Sequence, residues 1–183
     1  MREKEKMLSG KLYFSMDREL VKERNNAKKL CLEFNRTAPL EQKKRKKILK
    51  KLLGESNNCY IEPPFYCDYG YNIKLGNNFY ANHNCVILDV NTVRIGNDVL
   101  LGAGVHICTA SHPIDPVERK KGLELGIPIE IGDNVWIGSG AIILGGLKIG
   151  DNSVIGAGSI VTKDIPPDVM AAGNPCSVIR ELG

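Results

Sequence analysis

The sequence is short of the features that most directly betray a function. It has three histidines and one tryptophan, and aromatic residues make up only 6% of it. Six cysteines stand at positions 31, 59, 67, 85, 108 and 176, with no Cys-x-x-Cys pair among them. That spacing argues against a structural zinc site, and a disulfide framework is not expected, so the thiols read as buried small hydrophobes. No apolar run approaches the ~18 residues needed to span a bilayer. Residues 1–6 are charged, without the apolar stretch of an export signal. The expectation is a cytoplasmic protein with no membrane partner.

What is present divides unevenly. The net charge of +4 conceals a front, residues 1–56, with 17 Lys/Arg against 8 Asp/Glu, and a remainder with 8 against 13. Residues 17–34 predict a helix: Asp17 suits the N-cap, and Leu20, Ala27, Leu30, Cys31 and Phe34 share one face. A second helix is expected over residues 39–53, closed by Gly54. It carries Lys43, Lys44, Arg45, Lys46, Lys47, Lys50 and Lys51. No aromatics interleave with this run, as a single-strand nucleic-acid binder would need, so it reads as a solvated face and no nucleic-acid partner is expected.

The back of the chain is periodic. Ile131, Ile137, Ile143, Ile149, Ile155 and Val161 recur every six residues, and glycine follows four of them. Ile95, Leu101 and Ile107 form an earlier block, and Leu75, Ala81 and Ile87 another. A six-residue period fits neither an α-helix nor a hairpin meander. It fits a β-helix in which each unit supplies one strand and one corner and three units close a triangular coil. Ile131 should then stack on Ile149, and Ile137 on Ile155. The register breaks twice: two extra residues fall near 89–92, and residues 109–128 match no repeat. The second break, TASHPIDPVERKKGLELGIP, should leave the prism as a loop, the usual place for chemistry on a rigid scaffold.

That loop begins Ala110-Ser111-His112-Pro113-Ile114-Asp115-Pro116. CDYGYNIKLGNNFYAN precedes it, NVWIGSGAIILGGLKIGDNSVIGAGSIVTKDIPP follows it, and EKMLSGKLY and AGNPCSVIREL lie near the ends. Over nearly its whole length the chain resembles the maltose and galactoside O-acetyltransferases of the hexapeptide-repeat superfamily. The resemblance implies a mainly β fold, a left-handed parallel β-helix over residues 57–183 behind an N-terminal helical segment, residues 1–56. It also implies a homotrimer with active sites between neighbouring prisms, acetyl-CoA as co-substrate, a small sugar as acceptor, and no metal.

By the same resemblance His112 is the catalytic histidine. An imidazole titrating near neutrality suits the task, because a sugar hydroxyl must lose its proton as it attacks a thioester. Asn82 matches the residue that stabilises the oxyanion. Trp136, Ser139, Ala157, Thr162, Lys163 and Arg180 fall in the acetyl-CoA groove, with Ser177 where galactoside enzymes carry another arginine. On the acceptor side Asp68, Asp89 and Ser15 are expected contacts. Glu124 is either a further contact or the group that orients His112. Asp68, Val90 and Glu124 depart from the galactoside pattern towards the maltose type. Alternatives are another hydroxyl acceptor (a galactoside, serine or a xenobiotic), a silent β-helix binding module, and a zinc lyase needing three converging histidines.

Overall fold

The computed structural model describes residues 1–56 and 58–183. Helices α1 (Glu3–Leu8), α2 (Arg18–Asn35) and α3 (Gln42–Leu52) precede a prism of short parallel strands, and α4 (Pro116–Lys120) lies in the excursion. The Asp17 carboxylate caps α2 by accepting from the Glu19 and Leu20 amides. Helix α3 starts later than residue 39 because residues 38–41 form a turn, in which the Ala38 amide donates to the Glu41 carboxylate. Nor does Gly54 cap it. The chain is already extended at Leu53, and Gly54 is needed because a Cβ there would strike the Tyr71 carbonyl. Arg45, read as part of the solvated run, is buried, with Nε donating to Thr37 Oγ1 at 2.9 Å.

Three parallel sheets form the prism, each with an inward aliphatic row and a distinct outward row. On the first, Lys74, Arg94, Glu130 and Lys148 are cross-strand neighbours, which makes this the charged face. Outward on the second, the aromatic face, stand Tyr60, Tyr80, Leu100, Trp136 and Val154. The third, mostly aliphatic, presents Val86, His106, Ile142 and Ile160. Inside, Ile131 pairs with Ile149 and Ile137 with Ile155, as the period requires. The earlier coils are longer: Leu75 pairs with Ile95 and Ala81 with Leu101, twenty residues on.

Each edge of the prism has its own chemistry. Between the charged and aromatic faces, Asn78, Asp98, Asn134 and Asn152 take positive φ, and the side-chain oxygens of Asn97, Asp133 and Asp151 beside them each accept from a backbone N–H of the preceding coil. Between the aromatic and aliphatic faces runs a glycine edge, Gly102-Ala103-Gly104, Gly138-Ser139-Gly140 and Gly156-Ala157-Gly158. Gly140 has φ +70°, and a Cβ on Gly138 would lie 2.5 Å from the Ala157 nitrogen of the coil above. Between the aliphatic and charged faces lies the loop edge, from which the excursion leaves.

The excursion is more ordered than a plain loop. Ala110–Ser111 pairs antiparallel with Leu123–Gly126, and the latter also pairs with Tyr13–Phe14 from the front of the chain. Helices α2 and α3 close one end of the prism. Phe34, Cys31, Ile48 and Leu49 join the prism's aliphatic residues in one continuous core. Among the described residues no helix is long and apolar enough to cross a membrane.

Candidate active site

The expected site residues divide between two edges of the same prism. Asn82 follows Tyr80–Ala81, which puts it on the glycine edge. Its Oδ1 accepts from the His83 amide at 2.7 Å, and its Nδ2 has no hydrogen-bond partner among the described residues. Further along that edge Ser139 and Ala157 occupy equivalent corners of successive coils, linked by the Gly158 amide donating to the Ser139 carbonyl at 2.9 Å. Trp136 lies on the adjoining aromatic face, 54% exposed, an unusual position for the only indole in the chain. Its outward row continues through Val154 and Met170 to Arg180, which pairs with Met170 across the C-terminal hairpin.

His112, Thr162, Lys163, Asp68 and Glu124 belong to the loop edge. His112 directly follows Ala110–Ser111 and is exposed, without a hydrogen-bond partner among the described residues. Thr162 and Lys163 turn the same edge after Ile160–Val161. Lys163 and Arg180 are exposed, and neither has an ion pair among the described residues. One aliphatic strand therefore lies between Asn82 and His112 in a single chain, and the structure does not bring them together.

Around the loop edge the front of the chain builds a polar cluster. Tyr13, fully buried, donates its hydroxyl to Glu124 Oε2 at 2.8 Å, and no Glu124–His112 hydrogen bond exists among the described residues. Arg24 on α2 donates to Tyr69 Oη at 2.7 Å and to the Ser15 carbonyl at 2.6 Å. Asp68 is partly buried, and burial raises its pKa while Arg24 and Lys28 pull it back down. Ser15 is 8% exposed and enters this cluster through its carbonyl.

Asp89, an expected acceptor contact, is engaged by the backbone around it. It is fully buried and accepts the backbone N–H groups of Tyr69 at 2.8 Å, Asp68 at 3.1 Å and Asn72 at 3.2 Å. Its carboxylate shapes the turn that presents Asp68 and Tyr69. Burial pushes it up to about 7 against the pull of those donors. Asn91, two residues on, is equally internal: its Nδ2 donates to the carbonyls of Met7 and Gly126, fastening α1 and the excursion to the prism. Both lie in the two-residue register break, so the break itself signalled them. Nothing in the sequence pattern pointed to Arg24, and Tyr13 and Tyr69 lie in segments that carry the resemblance without a role assigned to them.

Histidines 83, 106 and 112 occupy the glycine edge, the aliphatic face and the excursion respectively, and Nδ1 of His83 is engaged with the Pro63 carbonyl at 2.6 Å. No group of three or more His, Cys, Asp or Glu side chains among the described residues converges as metal ligands would.

A hexapeptide β-helix with a histidine-bearing excursion and an exposed indole beside a glycine edge defines the class as hexapeptide-repeat acetyltransferases. Residues 128–163 match the bacterial transferase hexapeptide, in six repeats, and residues 6–56 match the maltose acetyltransferase hexapeptide capping motif. The galactoside O-acetyltransferase of Escherichia coli is 49% identical over 179 residues, covering 97% of this chain and 88% of its own. A crystal structure of a maltose O-acetyltransferase from Clostridium difficile 630 superposes with a TM-score of 0.99 at 54% identity, covering 100% of this chain and 98% of that one. A galactoside acetyltransferase in complex with coenzyme A gives 0.96 at 48% identity, covering 100% and 92%. The chain belongs to the maltose and galactoside O-acetyltransferase family and is an acetyltransferase.

Proposed function

We propose that the protein transfers the acetyl group of acetyl-CoA directly to a hydroxyl of a glucose- or maltose-type sugar, as a homotrimer. The observation that carries this reading is the division of the site. The loop edge holds a polar cluster of sugar-binding chemistry beside an exposed histidine, and the glycine edge holds Asn82, Ser139 and Ala157 beside Trp136. Neither edge is sufficient alone. A neighbouring copy that sets its glycine edge against the loop edge completes the site, and the exposed aromatic and aliphatic faces supply apolar surface for that contact.

Acetyl-CoA fits the residues available. Lys163 and Arg180 are exposed and without ion pairs among the described residues, as phosphate partners must be, and Trp136 offers a flat apolar surface. The coenzyme supplies a thioester carbonyl with a good leaving thiolate. His112 takes the proton of the attacking sugar hydroxyl as the C–O bond forms. The Asn82 amide N–H donates to the carbonyl oxygen as it gains charge, the C–S bond breaks, and the His112 imidazolium returns the proton to the thiolate. Asp68, Glu124 and the Arg24 guanidinium bind and orient the sugar.

Thioester loss followed by absorbance, with glucose, maltose, a galactoside and serine as acceptors, tests the proposal. Turnover with glucose or maltose that vanishes in His112→Ala, from a protein of trimeric mass by light scattering, is the expected result. A folded trimer inactive with every sugar overturns the acceptor assignment, and activity with serine alone transfers the reading to that acceptor.

A further inference from the structure

Acetyl transfer leaves all six cysteines idle, yet two of them meet. Cys31 on α2 and Cys67, which ends strand Phe65–Cys67, are 36 positions apart in the chain. Their sulfurs stand 3.7 Å apart in the core where the helices close the prism. No other two cysteine sulfurs are in contact among the described residues. The backbones behind the pair are fixed. One turn beyond Cys31, Asn35 Oδ1 accepts from the Phe65 amide at 2.8 Å and its Nδ2 donates to the Phe65 carbonyl at 3.0 Å, which ties α2 to this strand. A disulfide needs the sulfurs at about 2.05 Å, so the thiols are held as neighbours with less than about 2 Å left to close.

The pair is also chemically distinct. Its sulfur–sulfur contact lowers the pKa of Cys31, with burial opposing, and the same contact together with burial raises that of Cys67. In Cys59, Cys85, Cys108 and Cys176 burial raises the pKa. Cys31 is therefore the cysteine with the largest thiolate share, and the thiolate is the form that reacts. With Cys31 3% exposed and Cys67 6%, the pair admits an oxidant close to water in size more readily than a bulky disulfide reagent.

We propose that Cys31 and Cys67 are a peroxide-sensitive dithiol whose closure to a disulfide resets the acceptor side of the site. The Cys31 thiolate attacks one peroxide oxygen and the O–O bond breaks. The departing hydroxide takes up the proton that Cys31 gave up, leaving a sulfenic acid on Cys31. The Cys67 sulfur then attacks the Cys31 sulfur, the S–O bond breaks, and the hydroxyl leaves as water with the Cys67 proton. Two thiols and one peroxide become one disulfide and two waters. Cys67 directly precedes Asp68 and Tyr69, whose N–H groups Asp89 holds, and Arg24 and Lys28 precede Cys31 on α2. The new bond draws these two segments together where Arg24 meets Tyr69. Its effect on transfer rests on the acceptor assignment proposed above, whereas the bond itself is read without turnover.

Hydrogen peroxide treatment of the full chain, alkylation of the remaining thiols and non-reducing digestion test the proposal. A single linked peptide pair, Cys31 to Cys67, should form, and reduction of the unfolded chain should restore both thiols. The sugar KM of the oxidised protein should then rise at least about threefold while the acetyl-CoA KM holds. Cys31→Ala should give no linked pair and keep its sugar KM through the same treatment, which separates the bond from oxidation elsewhere. No link, a sulfinic acid at Cys31 without a link, or links scattered over the other cysteines overturns the redox pair. A complete link with unchanged sugar KM, or the same rise in Cys31→Ala, overturns its effect on the acceptor side. A reduced protein that turns over no sugar counts against the transferase reading instead, and the linked peptide then decides the pair.

Discussion

The glycine edge and the loop edge belong to the same three-sided coil, yet they are built on opposite principles. Along the glycine edge the later coils repeat one another, with Gly102, Gly138 and Gly156 in step and the next coil pressed against each. Such an edge is a straight rail, suited to a long ligand of constant shape. At the loop edge nothing repeats. Asp89 and Asn91 fall in the first register break, residues 109–128 leave as a hairpin, and strand Tyr13–Phe14 arrives from the front to pair with it. A repeating scaffold can therefore hold an invariant donor with one edge and evolve acceptor chemistry on another without disturbing the rail.

The largest effect should follow from removing His112, the proposed general base. His112→Ala should lower kcat by about 10²–10⁴ with little change in melting temperature, read from thioester loss and calorimetry. Activity within a few-fold of the parent would place the base elsewhere. On the opposite edge Asn82→Ala should cost about 10²–10³. The comparison is sharpest when the two dead variants are refolded together. If each site takes its histidine and its asparagine from different copies, random assortment should restore about one quarter of the parental activity. Absence of any recovery in mixed trimers means that both groups serve from one chain.

Asp89 tests whether the irregular edge is held from within. In Asp89→Asn an amide NH₂ replaces Oδ2 opposite the Asn72 N–H, leaving a buried donor unsatisfied at a cost of about 1–3 kcal/mol in urea unfolding. The pH dependence carries a sign. Because the folded pKa, about 7, lies above the unfolded value, the unfolded chain releases this proton first as pH rises. The parent should lose stability relative to the variant between about pH 4 and pH 7 and stay level above. A constant difference across that interval means the three amide donors outweigh burial. A direct acceptor contact would instead raise the sugar KM without touching stability.

How far the sequence could be read follows the same division. The aliphatic period from Ile131 to Val161 gave the inward rows, because a stacked coil allows one side-chain direction per position. It also marked residues 89–92 and 109–128 as departures. It could not reveal what the departures contain. Ala110–Ser111 and Leu123–Gly126 are too short and polar to show alternation, and α1 and α4 span six and five residues. Asp89 reads as a candidate acceptor contact because a carboxylate in a polar stretch resembles a surface group; the three amides around it become visible only in the fold. Arg24 and Tyr69 stand 45 residues apart, and neither carries a local signal for the hydrogen bond that joins them.

The smallest effect should come from the contact that joins the front of the chain to the excursion. Tyr13 is fully buried, so its ring packs regardless of the hydroxyl, and burial with the adjacent Glu124 carboxylate raises its pKa and keeps it a donor. Tyr13→Phe retains the ring and removes one hydrogen bond to a charged group, about 1.5–3 kcal/mol at most and less where water can reach Glu124. Glu124 is only partly buried, so water replaces the lost donor and stability should fall by about 1 kcal/mol. The carboxylate, however, loses its fixed direction. If Glu124 binds the acceptor, the sugar KM should rise several-fold with kcat held. If it steadies the His112 imidazolium, kcat should fall instead and the acid limb of the pH profile should move. Steady-state kinetics across pH separates these two outcomes, and unchanged kinetics shows that the loop edge tolerates a carboxylate free to turn.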